Sequence, residues 1–324
     1  MILSRTPLRI SFAGGLSDLE CYYNNNIGRV LSTTIDKYIY ILINESFTDR
    51  FKVSYLKTEI TKELDKIKQP LIRECVKSLK KDNYLEIISL SDIPGSTGLG
   101  SSSAYTVGLL KTLYHMYNVN HTPYKLAEDS YNIEVKILKE CGGKQDQFAA
   151  AYGGLNTYIF NKNRVIIRPL DLNTTTLRNL ENNLMLFYTN KTRRSQSILE
   201  QQTSNISNIK NKIDQLARIA KDMEYDLLDN NGYNFGSLLK EEWEIKRSTG
   251  NISTDKIDEN IRSLYELGAE GCKIAGAGNG GFIIVYAKPK YQKQIRGTIG
   301  LKELKFKFEQ CGSRIMYDNS KELI

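Results

Sequence analysis

Two hydrophobic patterns alternate along the chain. Runs dense in β-branched and aromatic residues, "GRVLSTTIDKYIYILINE" (28–45) and "YLEIISLSDI" (84–93), predict strands. Apolar residues three and four apart predict helices. One is "TKELDKIKQPLIRECVKSLKK" (61–81), which Pro70 is expected to interrupt. Another is "SSSAYTVGLLKTLYHMYN" (101–118), an amphipathic pattern with Val107, Leu110, Leu113 and Tyr117 on one face. The short buried-type strand "NLMLFYTN" (183–190) opens a second half, which runs polar and helix-rich to about Gly268. The strand "GGFIIVYA" (280–287) follows, and a last strand near "SRIMYD" (313–318) is expected to close that half. Internal repeats and low-complexity tracts are absent from the sequence. The pattern implies an α+β fold in two closely joined halves, with domains at 1–182 and 183–324.

The stretch "DIPGSTGLGSSSA" (92–104) turns tightly on proline and glycine and then starts a helix. First-turn N–H groups have no intrahelical partner and carry the positive end of the helix dipole, so such a loop can cradle an anion. A serine-capped helix after a glycine turn is the plain alternative. A second glycine cluster, "GAGNGG" (276–281), matches G-x-G-x-x-G in form. It precedes a strand instead of following one, which is the wrong context for a dinucleotide fingerprint. The Walker-type phosphate loop and the H-R-D and D-F-G signatures are also missing. A nucleotide would need another scaffold.

The helix pattern "PYKLAEDSYNIEVKILKE" (123–140) starts with Thr122 as cap and Pro123 in the first position. Leu126, Ser130, Ile133 and Ile137 share one face, and charged residues gather opposite. Glu134 falls on the border of the apolar stripe, where an ionised carboxylate needs a partner or a metal. It is either an edge carboxylate reaching for water or a functional group facing a site. In "CGGKQDQFAAAYGGLN" (141–156), Asp146 stands among glycines and small residues with Lys144 close by. It suits a general base or positioned acid near a phosphate, and equally a turn-stabilising Asp.

Charge and composition narrow the classes. The 324 residues are 40% hydrophobic and 25% charged, which describes a globular chain of roughly two domains. The N-terminal "MILSRTPLRISFAGG" carries Arg5 and Arg9 around a proline, so it lacks the apolar core of a signal peptide. With no spanning run, the expected location is cytoplasmic, with no membrane partner. The five cysteines, Cys21, Cys75, Cys141, Cys272 and Cys311, are scattered singly, against both a disulfide framework and a zinc site. A net charge of +8 suits acidic ligands. The basic residues are mixed with acids, without a basic arm or an RNA-binding strand signature, so a nucleic-acid partner is not expected.

Three of these stretches carry a resemblance. "PGSTGLGSSSA" resembles the phosphate-binding motif of the GHMP kinases, "TPLRISFAGGLSD" their first motif and "KIAGAGNGGF" their third, in the family's order. The resemblance spans nearly the whole chain. "RTPLRISFAGG", "GGKQDQFAAAYGGLN" and "YTNKTRRSQSIL" are most similar to the branch that phosphorylates D-glycero-D-manno-heptose 7-phosphate on its anomeric hydroxyl. The fold implied has an N-terminal half like domain 2 of ribosomal protein S5 and a ferredoxin-like C-terminal half. Leu16 stands where relatives often have another glycine, bordering the sugar pocket, and Asn279 interrupts the third motif.

Carried over residue by residue, the resemblance places the ATP phosphates on Pro94, Gly98, Leu99, Gly100, Ser101, Ser102 and Ser103. It makes Ser102 and Glu134 the Mg²⁺ ligands, Asp146 the group set against the acceptor hydroxyl, and Arg9 its basic partner. Gly14, Gly15, Asp18 and Gly143 would line the sugar, and Gly276 and Gly278 would close the site. Arg193 matches the arginine of the heptose-kinase motif and is the expected ligand of the 7-phosphate, with Lys191 and Arg5 as lesser choices. Expected partners are ATP, Mg²⁺ and a sugar phosphate; the assembly state, a homodimer included, is left open. Another sugar 1-kinase acting on fucose or galactose, and a non-catalytic sensor on the same fold, are the rival readings.

Overall fold

The computed structural model describes residues 1–81, 83–192 and 196–319. The chain opens with β1 (Ile2–Ala13), a single turn α1 (Glu20–Tyr23) and β2 (Gly28–Glu45), an antiparallel pair that forms the spine of the molecule. Their ladder shifts register between Pro7 and Leu8 and again between Ser11 and Ala13. Pro7 has no N–H to give the ladder, so a break beside it is cheap. A hairpin, β3 (Phe51–Ser54) and β4 (Thr58–Thr61), leads to α2 (Pro70–Ser78). Pro70 begins this helix and interrupts nothing: its missing N–H is one the first turn never uses, and the Gln69 side chain caps Leu71 N at 2.8 Å.

β5 (Leu85–Ser91) then feeds the glycine-rich loop and α3 (Ser101–Met116). This helix is not amphipathic. It is buried on nearly every side, including Thr106, Gly108 and Thr112, because it lies between β1 and its neighbouring helices. Small residues permit the close approach: a Cβ on Gly108 would lie 2.6 Å from Thr6 Oγ1, and Thr112 Oγ1 donates to Ser4 Oγ at 2.6 Å. α4 (Pro123–Tyr131), α5 (Gln145–Tyr152), β6 (Leu155–Phe160), β7 (Val165–Pro169) and α6 (Thr174–Asn183) complete the first half.

The second half holds β8 (Leu184–Tyr188), α7 (Gln196–Ser204), α8 (Ile206–Asp229), α9 (Phe235–Arg247), α10 (Asp255–Glu266), β9 (Gly271–Ile274), β10 (Phe282–Tyr286), α11 (Pro289–Thr298) and β11 (Lys302–Glu303). Its sheet has the order β11-β8-β10-β9, all antiparallel. The chain then returns. β12 (Phe308–Glu309) pairs with β2, and β13 (Arg314–Asp318) pairs with β1. The strand expected to close the second half therefore belongs to the nine-stranded sheet of the first, β13-β1-β2-β5-β3-β4, with β6 and β12 also on β2 and β7 on β6. An unpaired edge on β1 would leave a row of open backbone groups, and a C-terminal strand can cover it.

One apolar core runs through both halves. Leu8, Ile10 and Phe12 of β1 join Leu186 and Ile284 of the small sheet and Met223, Phe235 and Leu239 of α8 and α9. Phe12 meets Phe235 edge-on with ring centroids 5.2 Å apart.

Candidate active site

Arg9 leaves the middle of β1 and meets Asp146 in the first turn of α5. Its Nε donates to Oδ1 at 2.8 Å and its Nη2 to Oδ2 at 2.7 Å, a bidentate pair with a fixed plane. The Arg9 side chain is 7% exposed and that of Asp146 29%, so the carboxylate is the member that reaches open space. Gln145 Nε2 donates to Oδ1 at 3.0 Å, and Ser11 Oγ holds the Gln145 carbonyl oxygen at 2.9 Å. Oδ1 thus has two donors and Oδ2 one. A carboxylate oxygen has two lone-pair directions, so Oδ2 retains capacity for one more donor.

The third contact of Arg9 ties this pair to the glycine loop. Its Nη1 donates to Gly98 O at 2.6 Å, and its backbone N–H donates to Leu99 O at 3.1 Å. Leu99 is buried and anchors the loop, whereas Pro94 is exposed at its entry and Ser101 is half-buried. Gly100 caps α3 with φ +74°, and a Cβ there would sit 3.4 Å from Asp146 Oδ2. Asp146 Oδ2 therefore lies next to the start of α3, where the first-turn N–H groups have no intrahelical partner. The third motif backs the loop: Gly276 has φ +67°, and a Cβ on it would lie 2.7 Å from Gly98 Cα, so two glycine backbones touch where no side chain fits.

Glu134 is buried, and its place differs from the edge of a regular helix. After α4 the backbone loosens into a π-turn over Asn132–Ile137, which rotates Glu134 inward. Its Oε2 accepts from Ser103 Oγ at 2.8 Å and from Gln147 Nε2 at 3.0 Å. Its Oε1 has no partner among the described residues. Burial first, against the hydrogen bonds from Ser103, Thr106 and Gln147, pushes its carboxyl up to about 7. Ser102, expected beside Glu134, is exposed at the helix start, and the adjoining Ser103 makes the contact, because one helical residue turns the side chain by about 100°. A carboxylate oxygen without a partner, close to the hydroxyl of Ser103, is the kind of hard oxygen donor that a cation such as Mg²⁺ takes.

Asp18 follows the turn after β1. Its Oδ2 accepts from Gln145 N at 3.2 Å, and burial first, then the charge of Asp146, pushes its carboxyl up to about 6. Gly143 sits against it, since a Cβ there would overlap Asp18 Oδ2. Gly14 and Gly278 face backbone instead of open space, packed on Arg29 O and Ile252 O respectively. Gly15 faces the ammonium of Lys246, which a Cβ would approach to 3.3 Å. Leu16, with φ +76°, and Asn279, with φ +61°, occupy left-handed conformations that glycine would adopt freely. Leu16 offsets that strain by burying its side chain with Leu19, Tyr22, Ile213 and Leu216; Asn279 donates its amide to Asn251 O at 2.6 Å.

The expected phosphate ligands divide. Lys191 is exposed, and its carbonyl accepts from Gly281 N at 2.8 Å, beside the third motif. Arg193 lies outside the described residues. Arg5 is engaged elsewhere: it stacks on Tyr38 at 4.3 Å and lies 3.7 Å from Glu309 of the returning β12, so it does not join the site.

Sequence reading missed Gln145, which buttresses Asp146, and two residues of α9. Phe235, Leu239, Glu242 and Lys246 recur at helical spacing on the buried face. Two charges on an apolar stripe were the signal that could have revealed them.

A glycine loop at a helix start, an arginine–aspartate pair beside it and a third glycine motif behind it define a phosphoryl-transfer class, and family comparison names it. Residues 70–154 match the N-terminal domain of the GHMP kinases and residues 223–299 their C-terminal domain. The chain belongs to the GHMP kinase family, phosphotransferases that take ATP as phosphate donor. More particularly, it is 30% identical over 305 residues, 89% of this chain and 90% of the relative, to the D-glycero-alpha-D-manno-heptose 7-phosphate kinase of Campylobacter jejuni. It is 28% identical over 216 residues, 66% of this chain and 68% of the relative, to a mevalonate kinase of Methanothermobacter thermautotrophicus. A crystal structure of a D-glycero-D-manno-heptose 1-phosphate kinase from Bacteroides thetaiotaomicron superposes with a TM-score of 0.81 at 25% identity, covering 98% of this chain and 99% of that one.

Proposed function

We propose that this enzyme transfers the γ-phosphoryl group of ATP to the anomeric hydroxyl of D-glycero-D-manno-heptose 7-phosphate, giving the 1,7-bisphosphate used to build nucleotide-activated heptose. By family and by relatives the chain is a sugar kinase; the heptose, its position of phosphorylation and the pathway are the finer reading. The observation that carries it is the Arg9–Asp146 pair, held in a fixed plane beside Gly98 and Gly100.

Phosphoryl transfer asks for in-line positioning and charge neutralisation more than for covalent chemistry. The N–H groups at the start of α3 would receive the ATP phosphates, with Gly98, Leu99 and Gly100 shaping the loop around them. The sugar hydroxyl would donate to the free side of Asp146 Oδ2, next to that loop. Asp146 then orients the nucleophile and takes its proton as the bond forms, while Arg9 stabilises the charge on the transferring group. Magnesium, when bound, would supply charge neutralisation at the phosphates, held by Glu134 with the hydroxyls of Ser102 and Ser103. Glu134 Oε1 is the oxygen left free for it among the described residues. Asp18 and Gly143 would border the sugar, and Arg193, with Lys191 beside it, would meet the 7-phosphate.

The test is mass spectrometry of ATP incubated with the protein and a panel of heptose 7-phosphate, free heptose, fucose and galactose. A bisphosphate formed from heptose 7-phosphate in preference to every free sugar is the expected result. Turnover confined to a free hexose or deoxysugar would replace the substrate, and absence of turnover on all would favour a sensor. Arg193→Ala should raise KM for the sugar phosphate and leave KM for ATP unchanged.

A further inference from the structure

Helix α9 buries two charged side chains, Glu242 at 0% and Lys246 at 6% exposure. Glu242 has an evident structural partner. Lys273 Nζ donates to its Oε1 at 3.1 Å and to Phe12 O at 2.7 Å, tying β9 and α9 to the end of β1. Lys246 stands differently. Its ammonium donates to Gly276 O at 2.7 Å, and among the described residues no carboxylate pairs with it as a salt bridge. It lies between two glycine turns, against Gly15 of the first motif and Gly276 of the third. Asp18 and Arg9 act on it through space, as do Lys273 and Glu242. Burial first, then the charge of Lys273, holds it down to about 7.

An ammonium carries three donors, and Gly276 O accounts for one. A buried cation without a carboxylate is costly, and a neutral side chain of that length would fill the space more cheaply. Both glycine motifs that bracket it belong to the site already described. What the position offers a ligand is the unspent donors of Lys246 between the two glycine turns, with the Asp18 carboxylate near enough to act on it through space. A hydroxyl both accepts and donates and so satisfies the two together. A phosphate, carrying close to two negative charges at neutral pH, would be repelled by the Asp18 carboxylate.

We propose that Lys246 is a sugar-binding residue of this kinase: with Asp18 it brackets one hydroxyl of the acceptor, the ammonium donating to the hydroxyl oxygen and the carboxylate accepting its proton. This assignment rests on the sugar-kinase reading and adds a specificity-determining group from the second half of the chain. It also explains why Gly15 has no side chain although its backbone does not demand glycine: a methyl group would crowd the ammonium.

The experiment compares wild type with Lys246→Met by calorimetric binding of heptose 7-phosphate and its monodeoxy analogues without ATP, and by steady-state kinetics. Losing a hydrogen bond from a charged group should weaken sugar binding about ten- to a hundredfold, with KM for ATP within twofold. One monodeoxy analogue, weak on wild type, should bind the variant as well as the parent sugar does. A merely structural lysine would not produce that selective insensitivity. Unchanged sugar affinity in Lys246→Met, or an equal loss across parent and all analogues, overturns the proposal. If Lys246→Met does not fold, Lys246→Gln, which keeps a neutral donor for Gly276 O, is read with the same analogues: discrimination reduced at one hydroxyl alone supports the assignment and unchanged discrimination refutes it. A wild-type protein that neither phosphorylates nor binds any sugar phosphate overturns the kinase reading itself.

Discussion

Replacing Asp146 by Asn separates chemistry from architecture. Asp146 accepts three hydrogen bonds of 2.7 to 3.0 Å, two from Arg9 and one from Gln145. An Asn can present one oxygen to these donors, and its amide then faces an N–H of the guanidinium. At least one charge-assisted bond is lost, about 1.5–3 kcal/mol, and the guanidinium keeps Gly98 O at 2.6 Å and at most the one remaining oxygen of residue 146. Stability should drop by about 2 kcal/mol, which for a chain of this size lowers Tm by about 3 °C. The effect on turnover should be larger. Loss of a general-base or positioning group typically costs about 10²–10⁴-fold, or roughly 3–5 kcal/mol of barrier. A coupled assay of ADP release with heptose 7-phosphate measures kcat; nucleotide titration and thermal unfolding measure the rest. The same substitution in an Arg9→Met background tells whether Asp146 acts on the acceptor or only by holding Arg9. A kcat within tenfold of wild type would refute the assignment. So would a loss that disappears once Arg9 is gone.

Asp18 gives a pH signature. Its folded carboxyl lies near 6 against an ordinary 3.8, so between these values the folded protein binds more protons than the unfolded chain, and stability falls as pH rises. The penalty is complete above about pH 6. Asp18→Asn should therefore raise Tm at pH 8 and lose that advantage near pH 4, while weakening sugar binding; a Tm gain independent of pH would contradict this. Glu134→Gln should raise the Mg²⁺ concentration required for half-maximal turnover by about tenfold or more without lowering Tm, and an unchanged Mg²⁺ titration would return Glu134 to a purely structural role.

Much of this molecule was legible locally. β2, β5 and β10 are read directly from their dense β-branched runs, and the loop from Pro94 to Ser103 from glycines whose only local use is a tight turn before a helix. Asp146 and Glu134 were visible as charges in the wrong company. Such features depend on a few neighbouring residues, and neighbouring residues are what a sequence displays.

Tertiary structure decided the rest. The pairing of Arg9 with Asp146 joins residues 137 positions apart. Whether β13 covers β1 or stays with the small sheet depends on which edge lies open, and no local pattern records that. A π-turn set the inward rotation of Glu134 and chose Ser103 over Ser102 as its partner, through a change of about one residue in helical phase. Lys246 is the sharpest case. Its charge belongs on a surface by composition, and only the packing of α9 under two glycine turns brings it beside Gly15 and Gly276. Burial of a charge is a property of everything that surrounds it, and those surroundings come from every part of the chain.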